Sequence, residues 1–319
     1  MPRTIKSTNE PVSVKDRSSA PSPHLGLVCM TAGPEIRFRT ITRTRYLALS
    51  KREQRAALED IYAANVATVS AALSYCWKND IRLYRVISSL FPMSDESLGQ
   101  EILREMAAEL AKIGEKATRL NVRVIAHPDQ FVVLSSEKPV VVEQSISILH
   151  KHALAFNAFG LEQSPWNCLI IHGGKGGRAA ELIDVIKKLP PTIRHRLVLE
   201  NDERAYSSAE ILDVCRKANV PMIFDHHHHA VHEKLTGYDD PSVAAMLEAA
   251  ATTWTPREWQ VVHLSNGIDG VNDQRHTDLI SDFPAALYAA PWIEVEAKGK
   301  EVALFALRQL LAKQHDPPE

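Results

Sequence analysis

The sequence predicts an α/β protein folded as a single TIM-type (β/α)8 barrel. Three observations carry that expectation. Short apolar strands alternate with amphipathic helical stretches from Leu25 onward, eight such strands can be counted, and no dinucleotide loop marks the doubly wound alternative. "HGGKGG" (172–177) does follow a strand, but its spacing is neither GxGxxG nor a Walker P-loop. The length of 319 residues also suits a barrel, which occupies about 250 residues as one domain.

In order, the expected strands are "LGLVCM" (25–30), "IRLYRVI" (81–87), "VRVIA" (122–126), "NCLII" (167–171), "RLVLE" (196–200), "PMIFD" (221–225), "QVVHL" (260–264) and "WIEVE" (292–296). Residues 1–23, rich in Ser, Pro, Thr and Lys, lack the apolar core of a signal peptide. They are expected to form a disordered polar tail before a barrel domain over 24–314. Between the first two strands, Leu58, Ile61, Tyr62, Asn65, Val69, Leu73 and Cys76 keep the 3–4 spacing of a buried helix face. Leu98, Ile102, Met106, Leu110, Ile113, Ala117 and Leu120 do the same before the third. "PPTIRH" (190–195) and "KANVP" (217–221) punctuate helix ends ahead of the fifth and sixth strands. The last connection, through "SDFPAALYAAP" (281–291), is the least regular.

The chain is 45% hydrophobic and 24% charged, as a globular domain should be. A net charge of −2 gives no bulk preference for nucleic acid, but charge is unevenly spread. Arg37, Arg39, Arg43, Arg45, Lys51, Arg52 and Arg55 crowd one stretch whose only acids are Glu35 and Glu53, and such a cluster could meet phosphates. Four cysteines lie far apart with no CxxC pair, which argues against a disulfide scaffold or a thiolate zinc site. No apolar run approaches the ~18 residues of a membrane span. The expectation is a soluble cytoplasmic monomer, nucleoid-associated if the source is prokaryotic.

The chemistry lies at the strand ends. His127 ends the third strand, His172 the fourth, Glu200 the fifth, Asp225 the sixth and Glu296 the eighth, with His263 near the end of the seventh. A parallel barrel puts all those ends on its C-terminal rim, where barrel enzymes keep their active sites. A lone strand-end His or Asp is commonly a loop cap; six on one rim are hard to explain that way. Mixed imidazole and carboxylate ligands suit Mn²⁺, Zn²⁺ or Fe²⁺ and disfavour an all-oxygen calcium cage. The count suits two or three ions with a carboxylate bridging two of them, and such clusters activate water against a phosphoryl group. "IFDHHHHAVHE" (223–233) adds four consecutive histidines. Along an extended segment His226 and His228 would face one way, and His227 and His229 the other.

"AHPDQFVVL" (126–134), "LVLENDE" (197–203), "IFDHHHH" (223–229) and "IEVEAKGKE" (293–301), in this order after "LGLVCM", resemble the ultraviolet damage endonuclease family over about Leu25 to Leu310. The resemblance implies a metal-dependent barrel nuclease that nicks damaged double-stranded DNA on the 5′ side of photoproducts. It implies two or three divalent ions, Mn²⁺ foremost, with Zn²⁺ or Mg²⁺ as alternatives. His127 and His172 match ligands of one ion, with Glu200 bridging to a second held by Asp225, His263 and Glu296. His228 matches a ligand of a third, shared with His276 of "RHTDLI". Glu200 and Glu296 are thereby catalytic, and Lys298 is placed to contact the scissile phosphate. Gln130 and Phe131 correspond to a wedge pair filling the gap left by extruded nucleotides, although "FVVL" could also begin a buried segment. Two departures stand out. Leu27 and Thr31 replace an aromatic and an amide side chain used for lesion contact, and Val261 replaces a lysine that some relatives carboxylate.

Two other functions compete. A sugar isomerase or epimerase would use a similar Glu, Asp, His and Glu set. A damage-binding protein that no longer cleaves would not need the intact ligands.

Overall fold

The computed structural model describes residues 23–128 and 131–315. Residues 1–22 of the expected tail, and Gln130, lie outside the described residues. Eight parallel strands close in sequence order: β1 (His24–Val28), β2 (Leu83–Val86), β3 (Arg123–Ala126), β4 (Leu169–His172), β5 (Leu197–Glu200), β6 (Met222–Asp225), β7 (Val261–Leu264) and β8 (Trp292–Val295). Every expected strand is present. β8 pairs back to β1 in the register Leu25↔Ile293, which closes the barrel.

Helices α1 (Arg43–Leu47) and α2 (Lys51–Lys78) follow β1, and α3 (Ser97–Glu105) and α4 (Ala107–Leu120) follow β2. Next come α5 (Pro139–Ala158) after β3, α6 (Ala179–Lys188) and α7 (Pro191–Arg194) after β4, and α8 (Ser208–Ala218) after β5. The chain continues with α9 (His226–His232) and α10 (Pro241–Ala251) after β6, and α11 (Glu301–His315) after β8. The irregular β7–β8 connection carries only a 3-10 turn, Ala285–Ala289. Sequence chemistry explains the starts: Ser50 with Glu53 and Ser207 with Glu210 form reciprocal capping boxes at α2 and α8.

Strand alternation divides the core in two. Residues of one parity, such as Leu27, Val124, Leu199 and Phe224, pack outward against the helices in the larger cluster. Those of the other parity, Leu83, Ile125, Ile170, Val198, Ile223 and Val261, fill the barrel interior. One step further along the inward parity lie Arg85, His127, His172, Glu200, Asp225 and His263. The interior therefore changes from apolar to ionisable within one layer. The four cysteines are free, as expected. Among the described residues no helix is long and apolar enough to cross a membrane.

Candidate metal centre

Three overlapping ligand groups sit on the C-terminal rim: His127, His172 and Glu200; Glu200, Asp225 and His228; and Asp225, His263 and Glu296. Within each, the potential ligand atoms lie within 4.8 Å of one another. Glu200 and Asp225 each belong to two groups, as bridging carboxylates would. Glu200 is the hub: its Oε2 lies 3.1 Å from His127 Nε2, and its Oε1 lies 2.8 Å from His263 Nδ1. The side chain of Asn201 sets Asp225 beside it by bonding both the amide N–H and the carbonyl of Asp225, at 3.0 and 2.8 Å.

The four histidines begin a helix, so the alternation of an extended segment does not apply to them. Asp225 caps α9 by accepting from His228 N at 2.8 Å. Successive residues then point about 100° apart rather than alternating, and each imidazole finds a different setting. His226 is fully buried against the carbonyl of His263. His227 Nδ1 accepts from the Tyr238 hydroxyl at 2.8 Å, and its Nε2 donates to Asp273 O at 3.0 Å. His229 bridges the hydroxyls of Ser208 and Ser242. Only His228 faces the cluster, with Nδ1 3.5 Å from Glu200 and 3.7 Å from Asp225. His227 and His229 are therefore hydrogen-bonded and not solvated.

His276 is brought in by the loop after β7. Its residue pairs with Gly267 in an antiparallel bridge, and a Cβ at Gly267 would lie 2.1 Å from Gly270 O, so only glycine lets the loop close that tightly. The His276 ring centroid is 6.2 Å from that of His228. His276 is outside the three ligand groups. Its Nδ1 bonds Glu296 O, and His228 Nδ1 bonds Asn201 O, which leaves the Nε2 atom of each ring available.

Whether cations fit can be judged from what is left over. Asp225 is fully buried; one carboxylate oxygen caps α9, while the other has no hydrogen-bond partner, and His172 Nδ1 is likewise orphaned. A buried anionic oxygen without a donor is costly unless a cation meets it. Burial acts to raise the pKa of Glu200, but His263, His172 and the His127 hydrogen bond outweigh it and hold the carboxyl well below its usual range. Burial likewise opposes the charge on His228, yet Asp225, Glu200, Glu296 and Glu203 push its pKa up to about 9. The site is a field of negative charge, and the residues fit divalent ions.

Other sequence-expected residues fare differently. Phe131 is 70% exposed while Val132 and Leu134 are buried, so the aromatic ring stands outside the core. Lys298 is exposed just beyond Glu296. Leu27 is 1% exposed and packs outward against the helices, and Thr31, also 1% exposed, bonds Gly33 O and Ile36 N. Both side chains are buried. Val261 lies in the apolar interior. Much of the arginine cluster is already engaged: Arg37 donates to the carbonyls of Thr31, Ala32 and Ile36, Arg39 pairs with Asp60, Arg43 with Glu96, and Arg55 with Glu59, Glu101 and Glu105. Sequence reading missed Arg85 and Glu294, which pair beneath the cluster at 3.0 Å. The signal was present in "WIEVE", where Glu294 and Glu296 share a parity.

The family model for the UV-endonuclease UvdE matches residues 23–316. The chain belongs to that family. It is 53% identical to the UV DNA damage endonuclease of Deinococcus radiodurans over 289 residues, covering 90% of this chain and 95% of the relative. It is also 53% identical to the UV DNA damage endonuclease of a Nostoc species over 288 residues, 90% of this chain and 89% of that one. The crystal structure of SacUVDE shares the fold at a TM-score of 0.74 and 23% identity, covering 91% of this chain and 99% of the other.

Proposed function

We propose that this UvdE-family protein is a metal-dependent endonuclease that cuts DNA on the 5′ side of ultraviolet photoproducts, leaving a 3′-hydroxyl and a 5′-phosphate. The overlapping ligand groups centred on Glu200 carry the reading, together with family membership. Bound divalent ions at such a site would lower the pKa of a water and neutralise charge on the phosphate. His127, His172 and Glu200 would hold one ion, and Glu200 with Asp225, His263 and Glu296 would hold a second. His228 and His276 offer Nε2 atoms to a third. Mn²⁺ is the ion we favour, with Zn²⁺ and Mg²⁺ as alternatives.

Lys298, exposed beside Glu296, is placed to meet the scissile phosphate. The exposed Phe131 ring and Gln130 would fill the stack where the damaged nucleotides leave it. A monomer in the cytoplasm, at the nucleoid of a prokaryote, suits this role. The isomerase and non-cleaving readings have no observation in their favour. Incubation with Mn²⁺ should relax irradiated supercoiled plasmid, and EDTA should prevent it. Equal nicking of unirradiated plasmid would remove lesion recognition, and no nicking of either would remove the nuclease.

A further inference from the structure

Glu294 falls in none of the three ligand groups formed by the described residues, yet it is fully buried. It sits opposite His263 in the β7–β8 register. One carboxylate oxygen lies 2.8 Å from His263 Nε2 and the other 3.0 Å from Arg85 Nε. Arg85 also reaches Glu296, with Nη1 2.5 Å from Oε1. One guanidinium thus ties Glu294 of β8 to Glu296, a member of the ligand groups just past the strand end.

His263 differs from the other rim imidazoles. His127, His228 and His276 each turn Nδ1 to a backbone carbonyl, those of Pro128, Asn201 and Glu296, although His228 Nδ1 also lies 3.5 Å from Glu200 Oε1. His263 is reversed. Its Nδ1 faces Glu200 Oε1 at 2.8 Å, Glu296 Oε1 at 3.6 Å and Asp225 Oδ2 at 4.0 Å. Its outer nitrogen lies in ion-pair contact with a carboxylate and not a carbonyl, although neither that nitrogen nor either Glu294 oxygen makes a hydrogen bond in this structure. A carboxylate partner fixes the tautomer and also makes the imidazole a stronger donor to a metal.

We propose that Glu294 is a positioning residue for the metal centre: it holds the Nε2 proton of His263, so that Nδ1 is presented as a ligand. Arg85 keeps Glu294 and Glu296 in fixed relation. The inference rests on the metal-centre reading above. A purely structural role, with Glu294 as the counter-ion of a buried arginine, would affect folding and leave metal affinity alone.

Titration with Co²⁺, read by its visible absorption, separates the two roles. Glu294→Met keeps bulk and removes the acceptor, and should weaken one Co²⁺ by roughly 10–100-fold, the scale of losing such an outer partner. Its absorption band should shift, while the Co²⁺ held by His127 and His172 stays. Glu294→Gln keeps an oxygen for the Nε2 proton and should lose less. A folded Glu294→Met protein with unchanged affinity and spectrum would overturn the inference while leaving the metal centre standing; a wild-type protein that takes no Co²⁺ would overturn both. Should the Met variant not fold, ¹⁵N-histidine spectra of the Zn²⁺-loaded wild type decide. His263 should carry its proton on Nε2, and a proton on Nδ1 would end the proposal.

Discussion

The two ends of the barrel bury polar groups in opposite ways. At the N-terminal end Arg123 is 1% exposed, but all three guanidinium nitrogens are used, on the carbonyls of Trp166, Trp259 and Pro165 at 2.7, 2.9 and 3.0 Å. Its guanidinium carbon lies 4.5 Å from the Trp166 ring centroid and 5.3 Å from that of Trp292. Burial lowers its pKa to about 10, which still leaves it cationic at neutral pH. At the C-terminal end, carboxylates and imidazoles converge and keep atoms for something outside the protein. A satisfied polar network serves stability, and an unsatisfied one marks function.

That contrast predicts opposite phenotypes. Glu200→Gln keeps the shape of the hub and removes its anionic oxygen, so turnover should fall by about 10²–10³-fold, the scale of losing a main electrostatic stabiliser. Glu296→Gln should behave alike, and thermal stability should change little in either. Arg123→Ala, by contrast, strands three carbonyls at about 1–3 kcal/mol each, so the melting temperature should drop steeply while surviving folded protein still cleaves. Equal losses of stability at both ends would erase the distinction. Single-turnover rates beside calorimetric melting of the variants measure it.

The next effect in size sharpens the contrast within one helix. His228→Ala should cost at least ~10-fold in metal affinity, with activity falling in step. His229→Ala breaks a bridge between Ser208 and Ser242 and should act on stability alone. His227→Ala should lower activity moderately through the loop that carries His276, because His227 bonds that loop's Asp273 carbonyl and the Tyr238 hydroxyl, which accepts from Gly267 N of the same loop. Elemental analysis of the three proteins tests this. Uniform metal loss along the run would point to a generic polyhistidine site.

Protons give a third test of the same end. Without metal, His228 keeps its proton at neutral pH because its pKa stands at about 9, and the neighbouring carboxylates overcome burial to push that of His263 up as well. Metal binding must expel those protons, so loading at pH 7 should release about two per chain. Raising the pH towards 9 removes the competing proton from His228, so metal affinity should rise by up to about tenfold per pH unit for each proton expelled. Calorimetric titration in buffers of different ionisation enthalpy counts them. No release would mean that these rings are not ligands.

Most of the barrel was legible because each strand carries its own signal, a short run with three to five apolar residues. The convergence of His127, His172, Glu200, Asp225, His263 and Glu296 on one rim was legible for the same reason, since strand ends locate them without further geometry. The orientation of the four histidines was not. It depends on Asp225 capping a helix, and "DHHHH" alone does not say whether the backbone bends there. Glu294 escaped for another reason. A single acid inside an apolar strand takes its meaning from Arg85 and His263 on other strands, which only closure of the barrel brings into contact.

The smallest effect concerns the rim's outer edge, where Phe131 stands exposed above buried Val132 and Leu134. An exposed ring adds little to folding, so Phe131→Ala should leave stability within about 0.5 kcal/mol and metal content intact. Holding a photoproduct out of the duplex costs a few kcal/mol, less for a damaged base than for a sound pair. A ring stacked in the gap recovers about 1–3 kcal/mol per base. Phe131→Ala should therefore slow single-turnover cleavage of a duplex photoproduct by roughly tenfold, within that range. The loss should shrink when the lesion faces an abasic gap, because no partner base is left to stack. Gln130→Ala should follow the same trend more weakly, an amide contact being worth about 1 kcal/mol. Both substrates must be compared at one salt concentration, since phosphate contacts make affinity salt-dependent. An equal loss on the two substrates would leave the ring without a stacking role and confine the functional end of the barrel to its ligands.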